Sequence, residues 1–120
     1  MTTDQMKKRT KRFALDVIKF TEELPRNRTC DVLGRQMLRS GTSVGANYRA
    51  ACRAKSPADF ISKMGTVEEE ADETGYWLEL LVESDHVKAA LADTLLNESE
   101  ELVAICVSSI KTARGSGRRS

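Results

Sequence analysis

Two consecutive segments of the chain, residues 33–54 and 60–81, each carry a stripe of residues at alternating spacings of four and three. The first stripe consists of Leu33, Met37, Ser40, Val44, Asn47, Ala51 and Ala54, and the second of Phe60, Met64, Val67, Ala71, Thr74, Leu78 and Leu81. This spacing puts each stripe on one face of an α-helix. Several members are small or polar, and small residues let neighbouring helices approach closely. The two segments are therefore predicted to be long helices in close contact.

Local signals predict where three helices begin or end. Pro25 is predicted to stop the first helix at Leu24, because proline disfavours helical geometry in the residue before it. Thr29 is predicted to be the N-cap of the second helix. The third helix has the clearest start, with Ser56 as N-cap, Pro57 at the first helical position and an acidic residue in the first turn.

Two further amphipathic helices complete the predicted fold. The first helix places Phe13, Val17, Phe20 and Leu24 on one face. The fourth is predicted over residues 88–114, with Leu91, Leu95, Leu102, Ile105, Cys106, Ser109 and Ile110 facing inward. Only 5% of the residues are aromatic and two are proline, which favours helices over a sheet. Long helices with short connectors predict an all-α, antiparallel up-down-up-down four-helix bundle over residues 1–114, followed by a disordered basic tail over residues 115–120.

The second helix contains a small and polar motif formed by Ser43, Gly45 and Asn47. Gly41 and Gly45 each weaken a helix by about 1 kcal/mol relative to alanine, so a kink or local loosening is predicted near them. Asn47 lies on the buried stripe and must find a hydrogen-bond partner, because burying an unpaired amide costs about 1–3 kcal/mol. The motif is interpreted as a structural device for close packing and hydrogen bonding.

The sequence predicts a soluble, cytoplasmic protein. Its three cysteines, Cys30, Cys52 and Cys106, are widely spaced and form no Cys-x-x-Cys pair, which favours reduced thiols over a disulfide framework or a zinc site. The amino terminus has no apolar core of a signal peptide. No stretch approaches the roughly 20 apolar residues that a membrane span requires.

No catalytic group is evident among the residue patterns. The single histidine, His86, falls in a predicted turn without an obvious serine or cysteine partner. The acidic run over residues 68–73 could suggest a metal site, but di-iron sites in bundles need Glu-x-x-His motifs on facing helices, and one histidine cannot supply them. A solvated face, or salt bridges to the basic half, is the favoured interpretation. We therefore predict a non-enzymatic protein with no cofactor and no metal.

Charge is divided unevenly along the chain, although the net charge is only +1. Residues 1–55 carry 13 positive and 5 negative charges, a net of +8, whereas residues 56–110 carry 2 and 13, a net of −11. The last ten residues add four positive charges. Such blocks bind oppositely charged partners, or bind each other within an assembly.

The basic half supplies the candidate nucleic-acid-binding residues, which are Lys7, Lys8, Arg9, Lys11, Arg12, Arg49 and Arg53. Cations near a helix N-terminus are disfavoured by a few tenths of a kcal/mol, so their presence suggests a partner such as phosphate. Flexible cations contact backbone phosphates without reading sequence. The alternative is an ordinary solvated or salt-bridged face. Tyrosine and tryptophan are scarce, which gives little support to specific recognition of single strands.

Tyr76 and Trp77 are adjacent on the third helix and cannot both point into one narrow core. At least one of them is therefore predicted at the edge of the core or on an outer face. Exposed aromatic side chains commonly anchor contacts between subunits, so both are candidate interface residues. For Trp77 the alternative is an ordinary position at the edge of the core.

Two segments of the chain resemble a known family. These are residues 39–51, Arg-Ser-Gly-Thr-Ser-Val-Gly-Ala-Asn-Tyr-Arg-Ala-Ala, and residues 60–81, which include Glu-Ala-Asp-Glu-Thr-Gly-Tyr-Trp-Leu-Glu-Leu-Leu. They resemble the four-helix bundle family of 23S ribosomal RNA intervening-sequence proteins, and the likeness extends over nearly the whole chain. The resemblance implies a small bacterial bundle that assembles as a homopentamer.

The resemblance also carries a functional expectation. A related branch of the family is the accessory protein of diversity-generating retroelements, which binds nucleic acid and a reverse transcriptase. Two hypotheses follow for this chain. The first is a non-enzymatic accessory protein that binds RNA or DNA backbone through its basic half. The second is a purely structural or protein-binding homo-oligomer, whose basic and acidic halves pair across subunits.

Overall fold

The chain forms four helices in a computed structural model that describes residues 1–119, with side chains described through residue 115. Helix α1 spans Thr3–Glu22, α2 spans Arg28–Ala51, α3 spans Pro57–Glu83 and α4 spans Ala89–Arg119. No strand occurs in this described part. The predicted all-α class with four helices is confirmed. The predicted basic tail lies mostly outside the described side chains and stays a prediction.

Helices α1, α2 and α3 each follow an N-cap residue whose side chain accepts a hydrogen bond from the first turn. The predicted cap of α3 is confirmed, because the Ser56 side chain accepts from the Asp59 amide. The predicted cap of α2 is wrong. Asn27, two residues before Thr29, holds extended backbone angles and accepts from the Cys30 amide through its side chain. Helix α1 begins with a reciprocal capping box between Thr2 and Gln5.

Three further predictions about the helices need correction. Helix α1 ends at Glu22 rather than at Leu24, because the amides of Glu23 and Leu24 turn back to carbonyl oxygens three residues earlier. Leu91, predicted to face inward, is 69% exposed, because Ala92 and Leu95 form the buried face of this part of α4 instead. Helix α2 is continuous through Gly41 and Gly45, so no break occurs where loosening was predicted.

Glycines mark the places where helices approach most closely. A Cβ atom built on Gly45 would lie 3.2 Å from the Thr10 hydroxyl, one on Gly41 would lie 2.8 Å from Val17, and one on Gly34 would lie 3.0 Å from Leu24. Contacts at increasing residue numbers of α1 are made by decreasing residue numbers of α2, so the two helices run in opposite directions. On the other side of the molecule, a Cβ on Gly75 would lie 2.9 Å from the Ser99 hydroxyl of α4. These contacts between successive helices fit a bundle.

The core follows the stripes that the sequence predicts. The largest side chains that are almost fully buried come from all four helices and include Phe13, Met37, Met64, Leu78, Leu81 and Leu102. Asn47 departs from the expected pattern, because it is only partly buried and its amide donates to the Ser43 carbonyl oxygen of its own helix at 2.8 Å. The required partner is therefore present, but it lies within α2.

A buried hydrogen bond joins α2 to α3 across the core. The hydroxyl groups of Ser40 and Thr74, both fully buried, lie 2.8 Å apart. Each hydroxyl also lies within hydrogen-bond distance of a carbonyl oxygen in its own helix. A hydroxyl has one hydrogen, so one residue donates across the interface while the other donates within its helix. The bond fixes the register of the two helices.

The bond between Ser40 and Thr74 is expected to be cooperative in a double-mutant cycle. Ser40→Ala and Thr74→Val should each lower the free energy of unfolding by about 1–3 kcal/mol, because each leaves a buried hydroxyl with one partner fewer. The double variant should lose less than the sum of the single losses. Urea unfolding of the four proteins measures the coupling. Losses that simply add would show that the two hydroxyls do not interact.

Candidate nucleic-acid interface

A basic groove lies between α1 and α2. It has a volume of about 470 Å³ and is lined by Lys7, Lys8, Thr10, Lys11, Ala14, Thr42, Gly45, Ala46 and Arg49. We call Lys7, Lys8, Lys11 and Arg49 the basic-groove cations. They are the charged residues of this lining, so the groove has four positive charges and no carboxylate. This electrostatic field favours an anion.

Packing of α1 on α2 brings the basic-groove cations together. Gly45 lets the backbone of α1 come close at Thr10, so that Lys7 and Lys11, one turn apart on α1, stand beside Arg49 of α2. All four cations are exposed, and none takes part in an ion pair among the side chains described. Their charges are therefore available to a partner in solution.

Arg9 was predicted as a candidate cation but belongs to a different surface. It is partly buried, and its guanidinium contacts Glu98 of α4 through two hydrogen bonds of 2.6 and 2.7 Å. A second carboxylate, Glu101, lies 3.2 Å away. The hydrogen bond to Glu98 raises the pKa of Arg9 above its usual value, although partial burial opposes the shift. Arg9 thus joins α1 to α4, which form the smallest of the contacts between helices.

Arg12 and Arg53, the two other candidates, lie outside the lining of the groove. Arg12 forms an ion pair of 3.1 Å with Asp16, one turn along α1. Arg53 is exposed at the end of α2 and donates a hydrogen bond to the Arg49 carbonyl oxygen at 3.2 Å. An exposed ion pair of this kind contributes only about 0.2–1 kcal/mol, so Arg12 remains available to exchange partners.

Arg39 has a role that the sequence analysis did not assign. Its guanidinium pairs with Glu70 at 3.2 Å and also with Glu73 on α3. The hydrogen bond to Glu73 raises the pKa of Arg39, with a smaller contribution from the charge of Glu70. Glu70 and Glu73 are three residues apart and so lie on one face of α3. This spacing could have indicated that both carboxylates bind the same cation. Part of the basic half is thus neutralised by the acidic half within one chain.

The opposite side of the molecule carries an acidic groove between α3 and α4. It has a volume of about 310 Å³ and is lined by Asp72, Gly75, Tyr76, Glu79, Leu96, Ser99, Glu100 and Val103. Its charged residues are the carboxylates Asp72, Glu79 and Glu100, which form no ion pair among the described side chains. No lysine or arginine lines this groove.

Tyr76 and Trp77 separate into different environments. Tyr76 is 52% exposed and lines the acidic groove, whereas Trp77 is half-buried and packs against the core. Their ring centroids are 5.2 Å apart at an interplanar angle of 59°. The Trp77 Nε1 group is buried and has no hydrogen-bond partner among the described residues. Exposure therefore favours Tyr76 over Trp77 as the interface residue, and the interface itself stays a prediction.

Ser43 and Asn47 bond along α2 rather than across the bundle. The Ser43 hydroxyl donates to the Arg39 carbonyl oxygen at 2.6 Å, and the Asn47 amide donates to that of Ser43. Both bonds reach one turn back along the same helix. Gly45 is the member of the predicted motif that contacts another helix, through Thr10.

A larger cavity, of about 680 Å³, lies at the end of the bundle where α1 and α3 begin. Apolar side chains such as Met6, Phe60 and Met64 line most of it. Burial, with a smaller contribution from Cys52, raises the pKa of Tyr48 in its wall to about 12. Burial likewise raises the pKa of Cys106 to about 12, with a further contribution from Glu68. Both shifts favour the neutral, less nucleophilic form of the group.

Metal ligands and the single histidine are the remaining candidates for a chemical role among the described residues. No group of three or more histidine, cysteine, aspartate or glutamate side chains is placed to hold a metal ion. His86 lies in the turn between α3 and α4, where its Nδ1 is 2.7 Å from the Ser84 hydroxyl.

Among the helices described, none is both long enough and apolar enough to cross a membrane.

A small all-α bundle with opposed basic and acidic grooves is the class of protein that these features define. The model of the 23S rRNA-intervening sequence protein family matches residues 3–108, and the chain belongs to this family. The family resemblance seen in the sequence is thereby confirmed.

A solved structure with the same fold is a protein of unknown function from the S23 ribosomal protein family of Bacteroides thetaiotaomicron. It is 37% identical to this chain, has a TM-score of 0.84, and the match covers 92% of this chain and 99% of that one. No curated protein matches the chain.

Proposed function

We propose that this protein is a non-enzymatic accessory factor that binds the backbone of RNA or DNA. The observation that supports it is the basic groove, where Lys7, Lys8, Lys11 and Arg49 converge without a carboxylate or an ion pair among the described residues. Exposed cations without an ion pair are free to exchange counterions for phosphates. No aromatic side chain lines the groove, which supports contact with the backbone rather than with stacked bases.

The geometry predicts the strength of the salt dependence. At concentrations where the chain is a monomer, four phosphate contacts with duplex DNA should give a slope of about −3.6 in a plot of log affinity against log salt concentration. The affinity of one chain should therefore fall roughly 100-fold between 50 and 200 mM salt. Fluorescence anisotropy with a labelled duplex of arbitrary sequence measures this slope. A second duplex of different sequence should bind equally well.

A matched pair of variants assigns the binding to the basic groove. Lys7→Glu with Arg49→Glu reverses two groove charges and should lower the affinity at least about tenfold and halve the slope. Arg26→Glu with Lys88→Glu makes the same change of net charge at exposed positions outside the groove. This control should bind within about twofold of the original protein. Undetectable binding of the unaltered protein at low salt would refute the proposal, and equal losses in both variants would refute the assignment to the groove.

A second candidate function is self-association of the antiparallel bundle into a homo-oligomer, for which the resemblance suggests a pentamer. Its support is the presence of an unpaired basic surface and an unpaired acidic groove on one chain. Light scattering at micromolar concentration tests it, and a monomer throughout would refute it. We also place the protein in the cytoplasm, which its three free cysteines support.

A further inference from the structure

Helix α1 has an outer face that combines positive charge with an exposed apolar side chain. Lys8, Lys11, Leu15 and Lys19 follow one another at spacings of three and four residues, so they lie on one face of the helix. All four are exposed, and Leu15 is 51% exposed. We call these four residues the α1 face. It resembles one side of a cationic amphipathic helix, although it belongs to a folded bundle.

The acidic groove has the complementary chemistry. Its rim carries the carboxylates of Asp72, Glu79 and Glu100, and the exposed ring of Tyr76 lies between the first two on α3. Its other wall carries the half-buried apolar side chains Leu96 and Val103 of α4. Such a groove suits a helix that presents cations around an apolar residue, because each carboxylate can pair while the apolar side chain leaves water.

From this complementarity we infer that the acidic groove of one copy binds the α1 face of a second copy. The two surfaces carry opposite charges and each also offers apolar side chains, and among the described residues neither set of charges is paired within its own chain. The inference rests on the self-association proposed above and names the two surfaces that meet.

The geometry of this contact determines the kind of assembly it produces. Two different surfaces meet, so the contact is heterologous, and every copy keeps one free surface of each type until the assembly closes. A ring follows if the rotation between copies closes. Lys8 and Lys11 belong both to the α1 face and to the basic groove. Lys7 and Arg49 belong to the groove alone. Substitutions at Lys7 and Arg49 therefore test nucleic-acid binding without changing the surface proposed for self-association.

Charge reversal on each surface tests the inference. The α1-face variant carries Lys8→Glu, Lys11→Glu and Lys19→Glu, and the groove variant carries Asp72→Lys, Glu79→Lys and Glu100→Lys. All six positions are exposed, so both chains are expected to fold, which circular dichroism checks. Sedimentation velocity should find each variant to be a monomer at concentrations where the unaltered protein is assembled.

Mixing provides the more specific result. The α1-face variant keeps an intact acidic groove and the groove variant keeps an intact α1 face, and the two reversed surfaces also attract each other, so an equimolar mixture should assemble although neither variant assembles alone. Combining all six substitutions in one chain should restore assembly, because the swapped charges again attract. Assembly of the single-surface variants like that of the unaltered protein, or a mixture that stays monomeric, would overturn the inference. An unaltered protein that is itself a monomer would instead refute the proposed self-association.

Discussion

Replacing Phe13 by alanine is expected to lower the free energy of unfolding by about 3–5 kcal/mol. The Phe13 ring is 1% exposed and is among the largest fully buried side chains of the bundle. Its removal leaves a cavity that the surrounding side chains and helices fill only in part. Domains of this size are stable by about 5–15 kcal/mol, so the loss is a large share of the total.

Urea unfolding followed by circular dichroism measures this loss, at high salt so that self-association does not contribute. Leu91→Ala is the matched control, because Leu91 is 69% exposed and lies outside the proposed contact. Its loss should stay within about 0.5 kcal/mol. Comparable losses in the two variants would contradict the placement of α1 in the bundle.

Two glycine-to-alanine substitutions are expected to change stability in opposite directions. At Gly41 the added Cβ would lie 2.8 Å from both methyl carbons of Val17. Overpacking of this kind costs about 1–3 kcal/mol, which outweighs the gain of about 1 kcal/mol in helix propensity only if Val17 cannot move. Val17 is fully buried between helices, so we expect a net loss of about 1–2 kcal/mol.

Gly65→Ala is the comparison, because a Cβ at Gly65 of α3 would meet no atom within 4 Å. The gain in helix propensity is then unopposed and should raise the free energy of unfolding by about 0.5–1 kcal/mol. The same urea experiment measures both variants. Stabilisation by Gly41→Ala would show that α1 and α2 are not in close contact there.

Helix positions could largely be predicted from sequence, because the relevant signals are local. The stripe from Phe60 to Leu81 and the cap at Ser56 predicted α3 correctly. The cap of α2 could not be chosen reliably, since Asn27 and Thr29 are both good N-cap residues two positions apart. The backbone angles at Asn27 decide between them, and those depend on the path of the connector after α1.

The candidate site was only partly predictable, because the partner of a cation comes from a distant part of the chain. Lys7, Lys8 and Arg9 are similar in sequence, yet Arg9 pairs with Glu98, which is 89 residues away, while the two lysines line the basic groove. Likewise, spacing along α2 cannot show that Ser40, rather than Asn47, bonds to α3.

The sequence by itself determined the helical class, the extent of most helices and the family, since periodicity, caps and the motif over residues 39–81 are properties of adjacent residues. Only the tertiary structure decided which charges are neutralised and which remain free. Packing of α1 on α2 at Gly45 assembles the basic groove, and packing of α3 on α4 at Gly75 assembles the acidic one. Pairing between charges depends on distance in space, and helix packing sets that distance.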